Sequence, residues 1–265
     1  PLSTGLIIGG MGVAAGDFNG NGFEDIYVTN SPILSNGFGG NILSENHGNE
    51  TFSEVAQNLS VQVHEIGWGC SWADFDNDGD LDLFVANTAF LGIANSLFIN
   101  QGDGTFVEDS LTQIGQVDDR SFGCAIGDIN DDGYPDIAVM NESPSTIKLW
   151  QNIGGSNNWV KVTLEGTTSN SMAIGSWIDV YAGAIYSSRY TRCGTSYGSQ
   201  NGRAQMLGMG AATMVDSLII TWPTGISETH YNLPVNQTHH FTESTLVGTN
   251  LSEKRPMVLV SPNPS

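Results

Sequence analysis

Three copies of one acidic nine-residue pattern, Asp-x-[Asp/Asn]-x-[Asp/Asn]-Gly-x-x-Asp, constrain this chain more than any other feature of its sequence. The copies run from Asp17 to Asp25, Asp74 to Asp82 and Asp128 to Asp136, with leading aspartates 57 and then 54 residues apart. Each follows a short apolar stretch opened by glycine (Gly12, Gly69, Gly123) and precedes another apolar stretch that ends in asparagine (Asn30, Asn87, Asn141). Self-similarity at this period marks a repeated supersecondary unit, and its length suits one four-stranded β-propeller blade with generous loops. A second half recurs from Asn41 to Phe52 and from Asn95 to Phe106, reading as strand, glycine turn, strand. A blade is therefore predicted as inner strand, acidic loop, second strand, long connection, third strand, tight turn and fourth strand. After Leu149-Trp150-Gln151-Asn152 the third copy departs from this order, and Gly154-Gly155 leads into new material. The expected fold is all-β, with three propeller blades over residues 1–155, a second β-rich module over 156–245 and a linker with further sequence over 246–265.

The loop pattern suits calcium. A hard cation takes six to eight oxygen ligands, and alternate positions of a tight loop aim carboxylates or amides at one centre while Gly at position 6 permits the bend. The position 7 carbonyl adds an oxygen and the position 9 aspartate closes the site. The predicted ligands are Asp17, Asn19, Asn21, the Phe23 carbonyl and Asp25 in the first loop. They are Asp74, Asp76, Asp78, the Asp80 carbonyl and Asp82 in the second, and Asp128, Asn130, Asp132, the Tyr134 carbonyl and Asp136 in the third. About three Ca²⁺ per chain follow from this count. An EF-hand needs Glu at position 12 and flanking helices, whereas here Asp closes the loop early between strand-like flanks. Asp, Asn and Gly also mark plain turns, but three loops at equivalent places in a repeat favour a metal. The first loop, with two asparagines, is expected to bind weakest. The three windows hold 12 of the 28 acidic residues, so their ions would bring the formal net charge from −20 to about −14.

An excess of 28 acidic over 8 basic residues repels phosphate backbones and anionic headgroups, which excludes nucleic acid and membrane surfaces as partners. No stretch approaches the roughly 18 to 20 apolar residues of a membrane span. Pro1-Leu2-Ser3-Thr4 has no basic region followed by an apolar one, so any export signal is expected upstream or already removed. Cys70 and Cys124 each lie four residues before an acidic loop, a periodicity that predicts packing in the core. Cys193 has no such context, and no Cys-x-x-Cys or Cys/His cluster supports zinc or redox chemistry.

At the tripled loop the sequence resembles the FG-GAP or VCBS repeat of integrin α-chain propellers and of large bacterial surface proteins, over residues 5–152. That resemblance implies calcium loops on a propeller. The following segment, from Asn158-Trp159-Val160 through Ser169-Asn170 to Trp222-Pro223-Thr224-Gly225, resembles the ASPIC/UnbV module; Gly194–Gln200 and Leu207–Gly210 carry further matches. The pairing is similar to the cartilage acidic protein family, although Ser171 and Met172 stand where that module is expected to carry charge. The tail from Val258 to Ser265 resembles the opening of the C-terminal sorting domain of type IX secretion. Asp109-Ser110-Leu111 and Asp216-Ser217-Leu218 resemble an O-glycosylation sequon, and Asn-x-Ser/Thr sequons such as Asn49-Glu50-Thr51 add N-linked candidates. Propellers close with four to eight blades. Three repeats imply blades upstream of Pro1, or edges covered by the second module and neighbouring chains.

No catalytic constellation competes with this reading. His239-His240 falls in a predicted terminal strand, and Gly194-Thr-Ser-Tyr-Gly198 lacks the strand–turn–helix of a nucleophile elbow. The acidic pairs lie inside the loops, where coordination keeps them ionised and unable to donate a proton. Trp68, Trp72 and Trp150 are expected to fill the space between blades rather than to line a sugar platform. The expected function is non-enzymatic: a secreted or cell-surface calcium-binding protein acting in adhesion, binding or scaffolding through protein or glycan ligands, with self-association open. A carbohydrate-binding propeller, the non-catalytic part of a polysaccharide-degrading enzyme, and a subunit of an extracellular fibre or surface layer are the alternatives.

Overall fold

Apolar runs broken by acidic turns fold here as antiparallel meanders, one per repeat. The computed structural model describes residues 9–31, 39–88, 94–109, 114 and 120–244. In the first repeat β1 (Gly10–Gly16), β2 (Asp25–Asn30), β3 (Ile42–Asn46) and β4 (Phe52–Glu54) lie side by side in chain order. The second repeats the arrangement with β5 (Ile66–Ala73), β6 (Asp82–Thr88), β7 (Ser96–Asn100) and β8 (Phe106–Glu108). The third has β9 (Ser121–Gly127), β10 (Asp136–Asn141) and β11 (Lys148–Trp150), and the next strand belongs to another sheet. Each acidic loop is the turn of the first hairpin, since its position 9 aspartate pairs with the residue just before position 1: Gly16 with Asp25, Ala73 with Asp82, Gly127 with Asp136.

The sheets stack through side chains of both faces. All of β6 is buried; Leu83 and Val85 pack with Tyr27 and Leu43 of the first sheet, and Phe84 and Ala86 with Ile137 and Val139 of the third. A strand covered on both sides reads as a continuous apolar run, which is how Leu83–Ala86 reads. Cys70 and Cys124 sit in these two cores as the periodicity predicts, and Trp72 is buried in the first of them. The inner strands come close enough to need glycine. A Cβ on Gly12 would lie 2.1 Å from the Trp68 carbonyl, and one on Gly69 2.6 Å from that of Phe122.

The second module is a pair of packed sheets. β12 (Asn158–Glu165) is central in one, antiparallel to β15 (Gln205–Gly210) and parallel to β18 (Gln237–Thr242). The other runs β14 (Ile185–Tyr190), β13 (Trp177–Ala182), β16 (Met214–Thr221), β17 (Ser227–Pro234). Val160, Ile178, Leu207, Leu218 and Trp222 form their shared core. His239 and His240 lie in β18, as expected. The Val258–Ser265 tail and residues 110 and 111 of the first Asp-Ser-Leu triplet fall outside the described residues.

The module docks on the inner strands of all three repeats. Residues 194–201 form a tight hairpin closed by the Thr195 N–H to the Ser199 carbonyl (3.1 Å). Ser196 bridges to Val13, its Oγ lies 3.1 Å from the Cys124 Sγ, and Asn201 accepts the Ile126 N–H at 2.9 Å. A Cβ on Gly123 would meet the Tyr197 carbonyl at 2.8 Å, so this hairpin occupies for the third repeat the place that the next inner strand occupies for the first two.

Candidate metal centres

The three loops share one backbone design. Position 4 (Gly20, Asn77, Asp131) and position 6 (Gly22, Gly79, Gly133) are left-handed in all of them, with φ between 58° and 111°. That conformation explains why position 4 is Gly, Asn or Asp. The position 1 carboxylate takes the N–H of the position 6 glycine through its Oδ2: Gly22 to Asp17 at 2.8 Å, Gly79 to Asp74 at 3.0 Å, Gly133 to Asp128 at 2.8 Å. The side-chain oxygen of position 5 takes the position 7 N–H: Phe23 to Asn21 at 2.8 Å, Asp80 to Asp78 at 2.9 Å, Tyr134 to Asp132 at 2.9 Å.

The predicted closing aspartates also act as clips. Asp25, Asp82 and Asp136 are buried, and each gives one oxygen to the position 2 N–H (Phe18, Phe75, Ile129) and the other to the N–H of an asparagine at the end of the third strand (Asn46, Asn100) or two residues past it (Asn152). Every such oxygen keeps a lone pair for an ion. Those asparagines were not singled out in the sequence, yet each carries a fixed role. Its Oδ1 accepts the N–H of the glycine two residues on (Gly48, Gly102, Gly154), and its Nδ2 donates to the position 8 carbonyl of its own loop. The recurrence of Asn-x-Gly in all three repeats, 21, 18 and 16 residues after the closing aspartate, was the available signal.

The second loop is the one that brings carboxylates together. Asp74, Asp76 and Asp78 offer oxygens all within 4.8 Å of one another, and among the described residues theirs is the one grouping of this kind. Asp78 draws its N–H to Asp76 rather than to Asp74, which leaves the Asp74 Oδ1 buried with no hydrogen-bond partner. In the first and third loops that oxygen is taken, by the Asn21 N–H at 3.0 Å and the Asp132 N–H at 3.1 Å. Burial pushes the Asp74 carboxyl up to about 7; Arg189 opposes the shift and the charges of Asp78 and Asp76 add to it. Asp78 rises to about 6 mainly through burial, and Asp82 is held well above the usual carboxylate range by burial and then by Asp74. Three crowded carboxylates with an orphaned oxygen are short of positive charge, which an ion bound by hard oxygens supplies. The donor set fits Ca²⁺.

In the first loop, Asp17 is the only carboxylate among positions 1, 3 and 5, and the Asn19 and Asn21 amides donate to Glu45 and to the Asn46 carbonyl. In the third, Asn130 donates to Asp132 (2.6 Å), and Asp128 receives the ammonium of Lys161 from β12 at 2.6 Å. The second module also reaches the other two. The Gly208 N–H donates to the Asp74 Oδ2 (3.0 Å), and Arg192 pairs with Glu24 and donates to the Ala15 carbonyl. Among the predicted position 7 residues, the Phe23 ring, the Asp80 carboxylate and the Tyr134 ring each rest on the turn glycine of the same repeat.

The FG-GAP-like repeat model matches residues 33–85 and 92–139, which include the second and third loops, and the model named ASPIC and UnbV matches residues 166–247. Cartilage acidic protein 1 of Xenopus tropicalis is 28% identical over 230 residues, covering 82% of this chain and 34% of the relative. The Homo sapiens protein of the same name is 27% identical over 230 residues, covering 82% and 33%. Integrin alpha-7 of Mus musculus is 33% identical over 107 residues, covering 37% of this chain and 9% of the integrin. The chain thus spans about a third of the length of the cartilage acidic proteins it matches.

Proposed function

We propose, on the premise that this chain joins FG-GAP-like repeats to an ASPIC and UnbV domain with homology to cartilage acidic protein 1, that it is a calcium-stabilised binding or scaffolding protein of the cell surface or medium. The repeats are blades of propeller type, and the chain does no chemistry of its own. The observation that carries this reading is the buried Asp74 Oδ1, unpartnered beside Asp76 and Asp78. Asp74, Asp76, Asp78 and Asp82 would hold the ion, and the bound cation supplies the charge that their burial lacks. The first loop, poorer in carboxylates, would be a weaker site.

The mechanism is linkage. An ion that binds the folded loop and not the unfolded chain stabilises by about 2.7 kcal/mol per site at one hundred times its dissociation constant. A stiffened stack of sheets then offers its outer surface to ligands at low entropic cost. Melting in Ca²⁺ and in chelator tests this: Tm rises with calcium, and Asp74→Asn removes most of the rise. A Tm that ignores both calcium and chelator would sink the reading.

A further inference from the structure

We infer that Lys161 is the resident cation of the third loop, held where the second loop is shaped for a divalent ion, so that three loops of one sequence pattern are unequal as metal sites. The Lys161 Nζ lies 2.6 Å from the Asp128 Oδ2 and 2.5 Å from the Asp131 Oδ1. Both Lys161 and Asp128 are almost fully buried, with side chains 7% and 3% exposed. The lysine cannot drift from this place cheaply. Its backbone sits in the centre of a sheet, in register with Met206 on one side and Thr238 on the other. Its neighbour Trp159 lies against the loop so closely that a Cβ on Gly133 would come within 1.9 Å of the indole.

The two loops meet the same ladder in different ways. Gly208, which pairs with Trp159, presents only an N–H to Asp74, and the second loop keeps an unsatisfied carboxylate oxygen. One strand away, Lys161 presents a full positive charge to the equivalent aspartate. In the third loop both Asp128 oxygens are then partnered: Oδ1 by the Asp132 N–H, and Oδ2 by the Gly133 N–H and the ammonium. An ion bound at Asp128 would lie 2.3–2.6 Å from its oxygen. That position is beside Nζ on a shared carboxylate, where like charges at contact distance repel. The ammonium instead makes charge-assisted bonds to Asp128 and Asp131 and fastens the second module to the third repeat without calcium.

This inference rests on the calcium reading of the second loop, and the test separates the two. Crystals of the full chain soaked in Tb³⁺, read by anomalous scattering, are expected to show an ion among Asp74, Asp76 and Asp78 and none among Asp128, Asn130 and Asp132. Peaks in both loops overturn the Lys161 assignment and leave the calcium reading standing. A peak in neither overturns both. In solution, Tb³⁺ titration of Lys161→Met is expected to gain one ion per chain over the parent, while Asp128→Asn in the parent background leaves the stoichiometry unchanged. Loss of one ion in Asp128→Asn, with its fold confirmed by circular dichroism, contradicts the assignment whether or not Lys161→Met folds.

Discussion

Glu243 shows how much a single side chain can carry in this fold. Its Oε2 accepts the N–H groups of Thr167 (3.0 Å), Thr168 (2.9 Å) and Ser169 (2.6 Å), and its Oε1 the hydroxyls of Ser169 and Thr224, both at 2.9 Å. Burial works against the charge, but the Ser169 amide, the Thr224 and Ser169 hydroxyls and the Thr168 amide outweigh it and hold the carboxyl at about 2, against an ordinary 4.5. A folded-state value below the unfolded one means that the charged form favours folding. Its contribution is full above pH 4.5 and is lost as the pH falls towards 2. Glu243→Gln is expected to cost about 2 kcal/mol at neutral pH, measured by urea denaturation, and the gap between variant and parent should close across that acidic window. A gap of constant size down to the lower bound would show that the charge is not the source. Nothing near Glu243 in the sequence marks it, because its donors come from 74 to 76 residues earlier and from Thr224.

At the scale of the element, the third-strand asparagine does more than close its own hairpin. Asn100 Nδ2 donates to the Phe18 carbonyl of the first repeat (2.8 Å), and Asn152 Nδ2 to the Phe75 carbonyl of the second (2.8 Å). Each therefore ties position 2 of the preceding loop, whose N–H the closing aspartate already holds, to the next sheet. The Asn46 side chain makes only the bonds within its own repeat that its equivalents also make. Asn100→Ala strands two buried carbonyls and is expected to cost about 3 kcal/mol, while half-buried Asn46→Ala costs about 1 kcal/mol. Equal losses in urea denaturation would refute a role in joining sheets. The third repeat has the same carbonyl at Ile129, and that side chain is 60% exposed; Leu149 and Ile153 are exposed too. The face that covers Phe18 and Phe75 in the first two repeats is open in the third.

Over the whole molecule, charge divides between the two parts. Residues 1–155 hold 22 acidic and 2 basic residues, a net −20, whereas residues 156–265 hold 6 of each. Three of those six cations, Lys161, Arg189 and Arg192, act on the acidic loops: Lys161 and Arg192 by direct pairing, Arg189 through its field on Asp74, Asp17 and Asp80. The second module is thus a counter-charge for the repeats as well as a neighbour. Gly208→Ala tests the coupling at a distance of 134 residues in sequence, because the added Cβ would lie 2.2 Å from the Asp74 Oδ2 and 2.4 Å from the Asn77 backbone. Such overpacking is expected to cost about 1–3 kcal/mol and to weaken calcium binding at the second loop. An unchanged calcium affinity in calorimetry would show that docking and metal site are independent. The strand–loop–strand order of each repeat, the left-handed glycine at position 6 and the core places of Cys70 and Cys124 were legible from the chain alone, because they depend on contacts that recur with the repeat. What only the folded structure decided was the inequality of the loops. Lys161 and Gly208 reach them, and the 194–201 hairpin reaches the inner strands, across contacts that occur once, and a contact that occurs once leaves no periodicity to read.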